Sequence, residues 1–354
     1  MMMRGIYYVH QKINKKMILL AYGTRPEYIK LKSLIHEFDI NNYPYKTLFT
    51  GQHRDLLKEL HPDFTINIHE FVDGNRLDAI VASILDFFSI TKGALDGITH
   101  VLVQGDTTSA MAVALTAFHH GIKVIHLEAG LRTYDRKNPY PEEINRKLIS
   151  QIADIHLCPT EANRNNLWFE KIIHDNIYVV GNTVLDNLYP YKKNCEYTDK
   201  ILITLHRREN HHWLDLWFIE INKLAEQFPQ YEFILPIHPN PNVQKHRHLL
   251  KNVKVIDPLP YEEMLNLLVK TRLVITDSGG LQEESSFFNK KCLTCRIITE
   301  RPEAIGQSTF MVESPMVLHK IFNDHIDDYE IEFNCPFGDG HSARNIYQIL
   351  KNLK

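Results

Sequence analysis

The sequence predicts an α/β protein made of two doubly wound, Rossmann-like parallel sheets that face each other across a cleft. Three observations support this fold class. Short apolar runs alternate with segments of helical period along the chain. The alternation stops at a polar stretch, Tyr189 to Lys200, and then begins again. The length of 354 residues suits about two domains.

The polar stretch sets the expected domain bounds. We expect a first domain over residues 1–188, in which 1–16 form an extension, and a second domain over 189–340. The last helix, 341–354, is expected to return and complete the first domain. Ligands of such folds bind at the carboxyl ends of the strands, so the cleft is the expected site.

The predicted strands are apolar runs bounded by polar or turn residues. Those of the first half are Met17 to Tyr22, Tyr45 to Phe49, His100 to Val103, Lys123 to Leu127, Ile155 to Leu157 and Ile177 to Val180. Those of the second half are Ile201 to Leu205, Tyr231 to Leu235, Val253 to Ile256, Leu273 to Ile275 and Cys292 to Arg296. Helical periods follow most of them, for example Tyr28 to Phe38 and Leu77 to Phe88.

Composition excludes several classes of partner. The formal net charge is −3, with 44% apolar and 23% charged residues interspersed, so nothing favours nucleic acid or an anionic membrane. Apolar runs such as Met17 to Tyr22 are too short to span a bilayer, and Met1 to Lys16 has no signal-peptide core. We therefore expect a cytoplasmic protein.

The five cysteines are an odd, scattered number, which argues against a disulfide framework. Cys292 and Cys295 have C-x-x-C spacing, but no second pair completes a zinc site, and one strand explains them better. We expect no metal. No G-x-G-x-x-G follows a strand, which disfavours NAD, so no cofactor is expected.

The most informative stretch runs from Leu273 to Glu284, where an apolar strand passes through Ser278, Gly279 and Gly280 into a helix. Free backbone N–H groups at the start of that helix would form an anion cradle. Glu284 lies about one turn further on, where it can accept hydrogen bonds from ribose hydroxyls. The alternative is a tight turn in which the glycines only relieve packing.

Other strand ends also carry reactive groups. They are Gly23 to Glu27 with Lys30, Gln104 to Thr108, Glu128 to Thr133, Pro141 to Arg146, His206 to Asn210 and His238 to Asn242. Each has a structural alternative: Glu142 and Arg146 have the spacing of an ordinary surface ion pair, and Asp106 could be a helix N-cap. The coincidence of so many charged groups at one cleft favours a functional site.

Ten motifs, in this order and spacing, resemble the non-hydrolysing UDP-N-acetylglucosamine 2-epimerases, which share the two-domain GT-B fold of certain glycosyltransferases. The resemblance covers nearly the whole chain from Met17 onward. The motifs are Gly23 to Glu27, Thr50 to His53, Gln104 to Thr108, His126 to Thr133, Pro141 to Glu143, Gly181 to Val184, His206 to Asn210, His238 to Pro241, Asp277 to Gly280 and Thr299 to Glu303.

The resemblance implies that the enzyme inverts carbon 2 of UDP-GlcNAc to give UDP-ManNAc, by elimination of UDP and re-addition through a 2-acetamidoglucal. Its implied catalytic residues are Asp106, Glu128, Glu142 and His206. Its implied substrate ligands are Arg25, Lys30, Arg146, Ser278, Gly279, Gly280, Glu284 and Arg301. It also implies a homodimer.

Some relatives carry a second, regulatory UDP-GlcNAc site, and Gln52, His53, Arg207 and His238 resemble its residues. The chain departs from the family pattern at Met264, where many relatives place an aromatic residue against the uracil. Alternative functions stay open: 2-epimerisation of a UDP-linked 6-deoxy-L-hexosamine (UDP-FucNAc, UDP-RhaNAc or UDP-QuiNAc type), a hydrolysing epimerase that releases ManNAc and UDP, and a GT-B glycosyltransferase. A nucleotide-binding module without catalysis is disfavoured, because every expected catalytic residue type is present.

Overall fold

A computed structural model describes residues 16–53, 60–70, 76–137, 139–172, 175–331 and 334–353. Most of the predicted extension therefore lies outside the described residues. Within them, the first half forms a seven-stranded parallel sheet in the order β3-β2-β1-β4-β5-β6-β7. Its elements are β1 (Met17–Tyr22), α1 (Arg25–Ile40), β2 (Tyr45–Phe49), β3 (Phe64–Thr65), α2 (Arg76–Ile90), β4 (Ile98–Gln104), α3 (Thr108–His119), β5 (Lys123–Leu127), α4 (Glu142–Ile152), β6 (Ile155–Cys158), α5 (Glu161–Phe169) and β7 (Ile177–Val179).

In the described part of the second half, a six-stranded parallel sheet has the order β10-β9-β8-β11-β12-β13. Its elements, with the helix that precedes it and the helix that ends the chain, are α6 (Val184–Leu188), β8 (Lys200–Thr204), α7 (Leu214–Gln227), β9 (Glu232–Pro236), α8 (Pro241–Gln244), β10 (Lys254–Ile256), α9 (Tyr261–Leu268), β11 (Thr271–Thr276), α10 (Gly279–Phe287), β12 (Lys291–Thr294), β13 (Thr309–Met311), α11 (Leu318–Ile326) and α12 (Ser342–Asn352).

Both sheets are Rossmann-like, because each reverses its strand order once. The reversal falls between β1 and β4 in the first sheet and between β8 and β11 in the second. Loops leave the sheet in opposite directions at such a point and open a crevice beyond the carboxyl ends of the strands. The two crevices contain the loops after Tyr22, Gln104, Thr204 and Thr276.

Helix α1 illustrates how the local sequence sets an element. Thr24 caps the helix and forms a capping box with Glu27, while Pro26 occupies the first turn, where a missing N–H costs nothing. The buried side chains Leu31, Leu34 and Phe38 recur at helical spacing and pack on the first sheet. The start of this helix is thereby fixed beside the crevice.

The chain ends on the first sheet. Ala343, Ile346 and Leu350 of α12 share an apolar core with Ile18 of β1 and Leu31 of α1. The last helix therefore lies against the first domain after the chain has passed through the second. The residue bounds of the two domains remain a prediction.

Two further features concern the sequence predictions. Cys292 packs in the apolar core on one face of the second sheet and Cys295 in the core on the other face, so their thiols do not converge. Among the helices of the described residues, none has the length and apolar character needed to cross a membrane.

Candidate active site

Glu128 lies directly after β5, at φ +67°, in the left-handed region that a non-glycine residue seldom adopts. Both of its carboxylate oxygens accept hydrogen bonds from Lys30 Nζ at 2.6 Å, and Gln104 donates to one of them. Burial raises the pKa of Glu128, but the Lys30 ammonium and the Arg301 guanidinium outweigh it and hold the pKa below its usual value. Glu128 is therefore ionised at neutral pH.

Asp106 follows β4 at the switch point of the first sheet. The N-cap of α3 is Thr107, whose hydroxyl accepts from Ala110 N at 3.0 Å, so the N-cap interpretation of Asp106 is wrong. Asp106 Oδ2 instead accepts from Arg146 Nη2 at 2.7 Å. Burial raises the pKa of Asp106; the Arg146 charge lowers it, the Glu128 charge raises it, and the net shift is upward.

Glu142 begins α4, as the sequence predicts, and one of its carboxylate oxygens is buried without a hydrogen-bond partner. Burial raises its pKa, and the Asp106 charge raises it further. Arg146 does not form the predicted surface ion pair with Glu142: it is buried and lies 3.5 Å from Glu143, besides its bond to Asp106. Asp106 and Glu142 are thus neighbouring carboxyl groups that retain a proton more readily than Glu128.

The loop between β1 and α1 is held to the loop after β4 by Glu27, which the sequence analysis did not assign. Its buried carboxylate accepts from Gly23 N at 2.8 Å, Thr24 N at 2.7 Å and the Thr107 hydroxyl at 2.6 Å. This contact brings the exposed Arg25 and the Asp106 loop to one crevice. The capping-box pattern of Thr24 and Glu27 indicates the local role of Glu27 in the sequence, but it does not indicate the distant partner Thr107.

His206 follows β8 in the second sheet and lies against Asp277. The Asp277 carboxylate accepts from the backbone N–H groups of His206 and Arg207, at 3.0 and 2.8 Å. The His206 ring stacks on His238, with centroids 5.0 Å apart. Burial lowers the pKa of His206; the Asp277 charge opposes this, and the His238 ring lowers the pKa further.

The turn between β11 and α10 has the predicted form. Ser278 is the N-cap, and its hydroxyl accepts from Leu281 N at 3.5 Å. Gly280 is exposed, and a Cβ there would meet nothing closer than 3.8 Å. A Cβ on Gly279 would lie 2.5 Å from Arg301 Nη1. Gly279 therefore makes room for a guanidinium, as the packing alternative predicted, while Gly280 leaves the helix start open.

Arg301 is buried between two carboxylates. Its Nε donates to Glu283 and its Nη1 to Glu300. Burial lowers the pKa of Arg301, but the charges of Glu283, Glu300 and Glu128 outweigh it, and the net shift is upward. Arg301 thus brings a permanent positive charge to the start of α10, and it acts across the cleft on Glu128.

Glu284 lies in α10 and accepts from the Tyr261 hydroxyl at 3.2 Å. Burial raises its pKa to about 8; the Tyr261 hydrogen bond opposes this, and the Glu283 charge adds to it. Sequence reasoning did not identify Tyr261, because the partner lies in α9, 23 residues before Glu284. Glu284 is thus a buried carboxyl group in α10 with a tyrosine hydroxyl as its hydrogen-bond donor.

The four residues that resemble a regulatory site fall into two groups. Gln52 accepts from the Ser109 hydroxyl at 3.1 Å, and His53 accepts from Arg25 N at 3.3 Å, both beside the first crevice. Arg207 and His238 lie beside His206 in the second domain. The charge of Arg207 lowers the pKa of both Glu142 and Glu300, so Arg207 is close to the catalytic candidates.

The fold and the cleft define a class. The protein is a two-domain α/β protein of the GT-B type, in which Glu128 and Glu142 of the first sheet lie within electrostatic reach of Arg301 and Arg207 of the second half. A MurG protein of Acinetobacter baumannii, 12% identical with a TM-score of 0.61, shares this fold.

Comparisons with known proteins narrow the class to a family. The model of the UDP-N-acetylglucosamine 2-epimerase family matches residues 38–351. A UDP-N-acetylglucosamine 2-epimerase of Campylobacter jejuni is 36% identical over 386 residues, covering 95% of this chain and 97% of that protein. The enzyme of that name from Escherichia coli K12 is 34% identical, covering 95% and 98%. The chain belongs to the UDP-N-acetylglucosamine 2-epimerase family, and it is an isomerase.

Two solved structures add ligands to the comparison. The Neisseria meningitidis UDP-GlcNAc 2-epimerase, bound to UDP-GlcNAc, has a TM-score of 0.83 and 34% identity, covering 95% of this chain and all of that one. The Methanocaldococcus jannaschii enzyme, in complex with UDP-GlcNAc and UDP, has a TM-score of 0.76 and 31% identity, covering 95% and 99%.

Proposed function

We propose that the protein interconverts UDP-GlcNAc and UDP-ManNAc without a redox cofactor and without hydrolysis. The single observation that carries the proposal is the division of the carboxyl groups at the first crevice. Glu128 is held ionised by Lys30, whereas Asp106 and Glu142 have raised pKa values. Titratable neighbours whose pKa values are pushed apart are typical of acid and base roles in one reaction.

The proposed reaction explains why such groups are needed. The proton on carbon 2 has no adjacent carbonyl to acidify it, so the bond from carbon 1 to UDP breaks first, and its electron pair leaves with UDP. Positive charge develops at carbon 1, the proton on carbon 2 passes to a base, and the C–H electrons form the double bond of a 2-acetamidoglucal. Protonation of carbon 2 from the opposite face and attack of UDP on carbon 1 give the epimer.

Each carboxyl group suits one requirement of this path. The ionised Glu128 stabilises the positive charge that develops on the sugar. Asp106 and Glu142 exchange protons with the substrate, because a raised pKa favours proton transfer near neutral pH. His206 lies on the facing domain, and its lowered pKa favours the neutral imidazole, which can accept a proton.

The second domain supplies the nucleotide site in this proposal. Ser278, Gly279 and the exposed Gly280 hold phosphate at the start of α10, and Arg301 adds a charge beside them. Glu284 accepts from the ribose hydroxyls with Tyr261 behind it. Arg25, Lys30 and Arg146 face the same ligand from the first domain. The UDP-GlcNAc and UDP in the two solved relatives support this ligand assignment.

The family resemblance also supports a homodimer and a regulatory UDP-GlcNAc site at Gln52, His53, Arg207 and His238. The stacking of His238 on His206 would place such a site directly beside the catalytic groups. The short apolar runs of the sequence favour a cytoplasmic location.

Proton NMR of the enzyme with UDP-GlcNAc in deuterated water tests the proposal, with a sample lacking enzyme as control. We expect deuterium at carbon 2, a second UDP-sugar and no accumulation of free sugar. Stoichiometric free ManNAc would instead indicate a hydrolysing epimerase. A protein inert toward UDP-GlcNAc but active on a UDP-linked 6-deoxy-L-hexosamine would have a different sugar specificity, and inertness toward both would contradict epimerisation.

A further inference from the structure

Glu283 is a buried carboxylate, 3% exposed, that the proposed reaction does not use. One of its oxygens accepts from Arg301 Nε, and the other accepts from Asn182 Nδ2, which is 101 residues away in the sequence. Burial raises the pKa of Glu283, and the Arg301 charge opposes this. Glu283 therefore connects the proposed diphosphate ligand Arg301 to a residue that follows the first sheet.

Asn182 lies just after β7, in the segment through which the chain leaves the first sheet. Its Oδ1 accepts from Val184 N at 3.1 Å, and its own N–H donates to Phe337 O at 2.7 Å, in the segment that returns toward α12. A Cβ on the preceding Gly181 would lie 2.5 Å from Ser342 Oγ. The outgoing and returning segments are thus in close contact, and Asn182 is hydrogen-bonded at their crossing.

A second contact ties the Arg301 loop to the first domain. The Thr160 hydroxyl, at the N-cap of α5, donates to Glu303. The segment 300–303 is therefore bound to the first domain at two places. Arg301 is bound to Asn182 through Glu283, and Glu303 is bound directly to Thr160. The position of Arg301 depends on how the two domains are arranged.

We infer that Asn182 is a positioning residue that sets Arg301 for the diphosphate through Glu283, an inference that rests on the proposed function. The hydrogen bond from Asn182 occupies one carboxylate oxygen of Glu283 and leaves only the other for Arg301. Without it, the carboxylate is free to rotate and pair with the guanidinium through both oxygens, the geometry in which such pairs are strongest. Arg301 is then less available to UDP.

Asn182→Asp is the sharpest variant. It keeps the size of the side chain and the oxygen that accepts from Val184 N, but it replaces the donor to Glu283 with a negatively charged oxygen. We expect the dissociation constant for UDP, measured by calorimetry, to rise about tenfold or more. In an Arg301→Ala background, Asn182→Asp should change the dissociation constant for UDP by less than about twofold. The reason is that the effects of two substitutions are not additive when one residue acts through the other.

Asn187→Ala is the matched control. Asn187 also lies near the crossing and donates through its side-chain amide, to Ile29 O at 2.8 Å, but it does not contact Glu283 or Arg301. The Asn187→Ala variant should bind UDP with an affinity within about twofold of that of the wild type. If Asn182→Asp does not fold, as judged by its thermal transition, Asn182→Ala enters the same cycle, because it removes the donor without adding a charge.

A loss of UDP affinity that depends on Arg301 supports the inference. An equal loss in both backgrounds, or no loss in a folded variant, overturns it. Failure of the proposed function is seen separately: the wild-type enzyme would then be inert in the deuterium experiment, whereas failure of this inference alone leaves that activity intact.

Discussion

The Lys30 ammonium lies 2.6 Å from both carboxylate oxygens of Glu128. The two residues come from different elements, the first helix and the end of β5, and both are largely buried. Burial alone would raise the pKa of Glu128, so the Lys30 charge is a main reason why the carboxylate stays ionised. If ionised Glu128 is required for turnover, Lys30 sets the acid limit of the enzyme.

Lys30→Met should therefore move the acid limb of the pH–rate profile to higher pH. Removal of the cation raises the pKa of Glu128, and activity that needs the carboxylate is lost as the pH falls through that pKa. A shift of about 1–2 pH units is expected, the usual scale for a close opposite charge. The measurement is kcat against pH. Lys32→Met is the control, since Lys32 lies on the same helix and is exposed; equal shifts in both variants would contradict the role of Lys30.

Glu284→Gln should stabilise the nucleotide-free protein at high pH. The pKa of Glu284 is raised from 4.5 to about 8 in the folded state, so the folded state binds a proton more tightly than the unfolded state. Ionisation of Glu284 therefore lowers the free energy of unfolding. This loss is absent below about pH 4.5, grows as the pH rises and is complete above about pH 8. Urea denaturation at pH 8.5 should show a gain of up to about 5 kcal/mol for the variant, about 1.4 kcal/mol for each pKa unit, shrinking toward zero near pH 4.5. A gain that does not depend on pH would show that the charge of Glu284 is not its cause.

Gly279→Ala and Gly280→Ala should differ in stability although they are adjacent in one helix. The new Cβ at 279 would lie 2.5 Å from Arg301 Nη1, whereas at 280 the nearest atom is 3.8 Å away. We expect Gly279→Ala to lower the free energy of unfolding by about 1–3 kcal/mol. Gly280→Ala should leave it unchanged or raise it by up to about 1 kcal/mol, because alanine favours a helix. A Gly279→Ala variant as stable as Gly280→Ala would contradict this expectation and show that Arg301 moves aside at little cost.

Activity should survive exhaustive treatment with EDTA and should not respond to added NAD. The expectation rests on the sequence, which has neither paired zinc-ligand motifs nor a dinucleotide fingerprint. The packing of Cys292 and Cys295 on opposite faces of one sheet agrees with it. Loss of activity that zinc alone restores would show that the histidines or cysteines were misjudged.

Much of the fold could be predicted because buried parallel strands leave a strong local signal. The bounds of β1, β2 and β5 agree with the apolar runs at Met17, Tyr45 and Lys123. The short strands Phe64–Thr65 and Thr309–Met311 were missed, because two or three residues at a sheet edge carry no periodic pattern.

The site was predictable where a residue ends a strand, and less so where its role depends on a distant partner. A position at the cleft could be expected for three carboxyl groups, because Asp106 and Glu128 each follow a strand and Glu142 begins a helix. Glu27 binds Thr107 across 80 residues and Glu283 binds Asn182 across 101, and no local pattern encodes such pairs. The ion-pair alternative for Glu142 failed for the same reason, since it depends on where Arg146 points. The N-cap alternative for Asp106 failed locally, because the neighbouring Thr107 caps α3.

The central claim is that UDP is held by the second domain while the carboxylates of the first domain carry out the chemistry. Ser278→Tyr should block the nucleotide itself, because the bulk would fill the start of α10. Glu128→Gln keeps the size of the side chain and removes its charge, so the two roles can be separated in this one variant.

The most direct test compares UDP binding by calorimetry with turnover at saturating UDP-GlcNAc for Glu128→Gln. We expect UDP affinity within about twofold of the wild type and turnover lower by roughly 100-fold or more, the usual scale for losing a group that stabilises charge in the transition state. If Glu128→Gln lost UDP binding while epimerisation at saturating substrate stayed near normal, Glu128 would be a nucleotide ligand and the proposed division between the domains would be wrong.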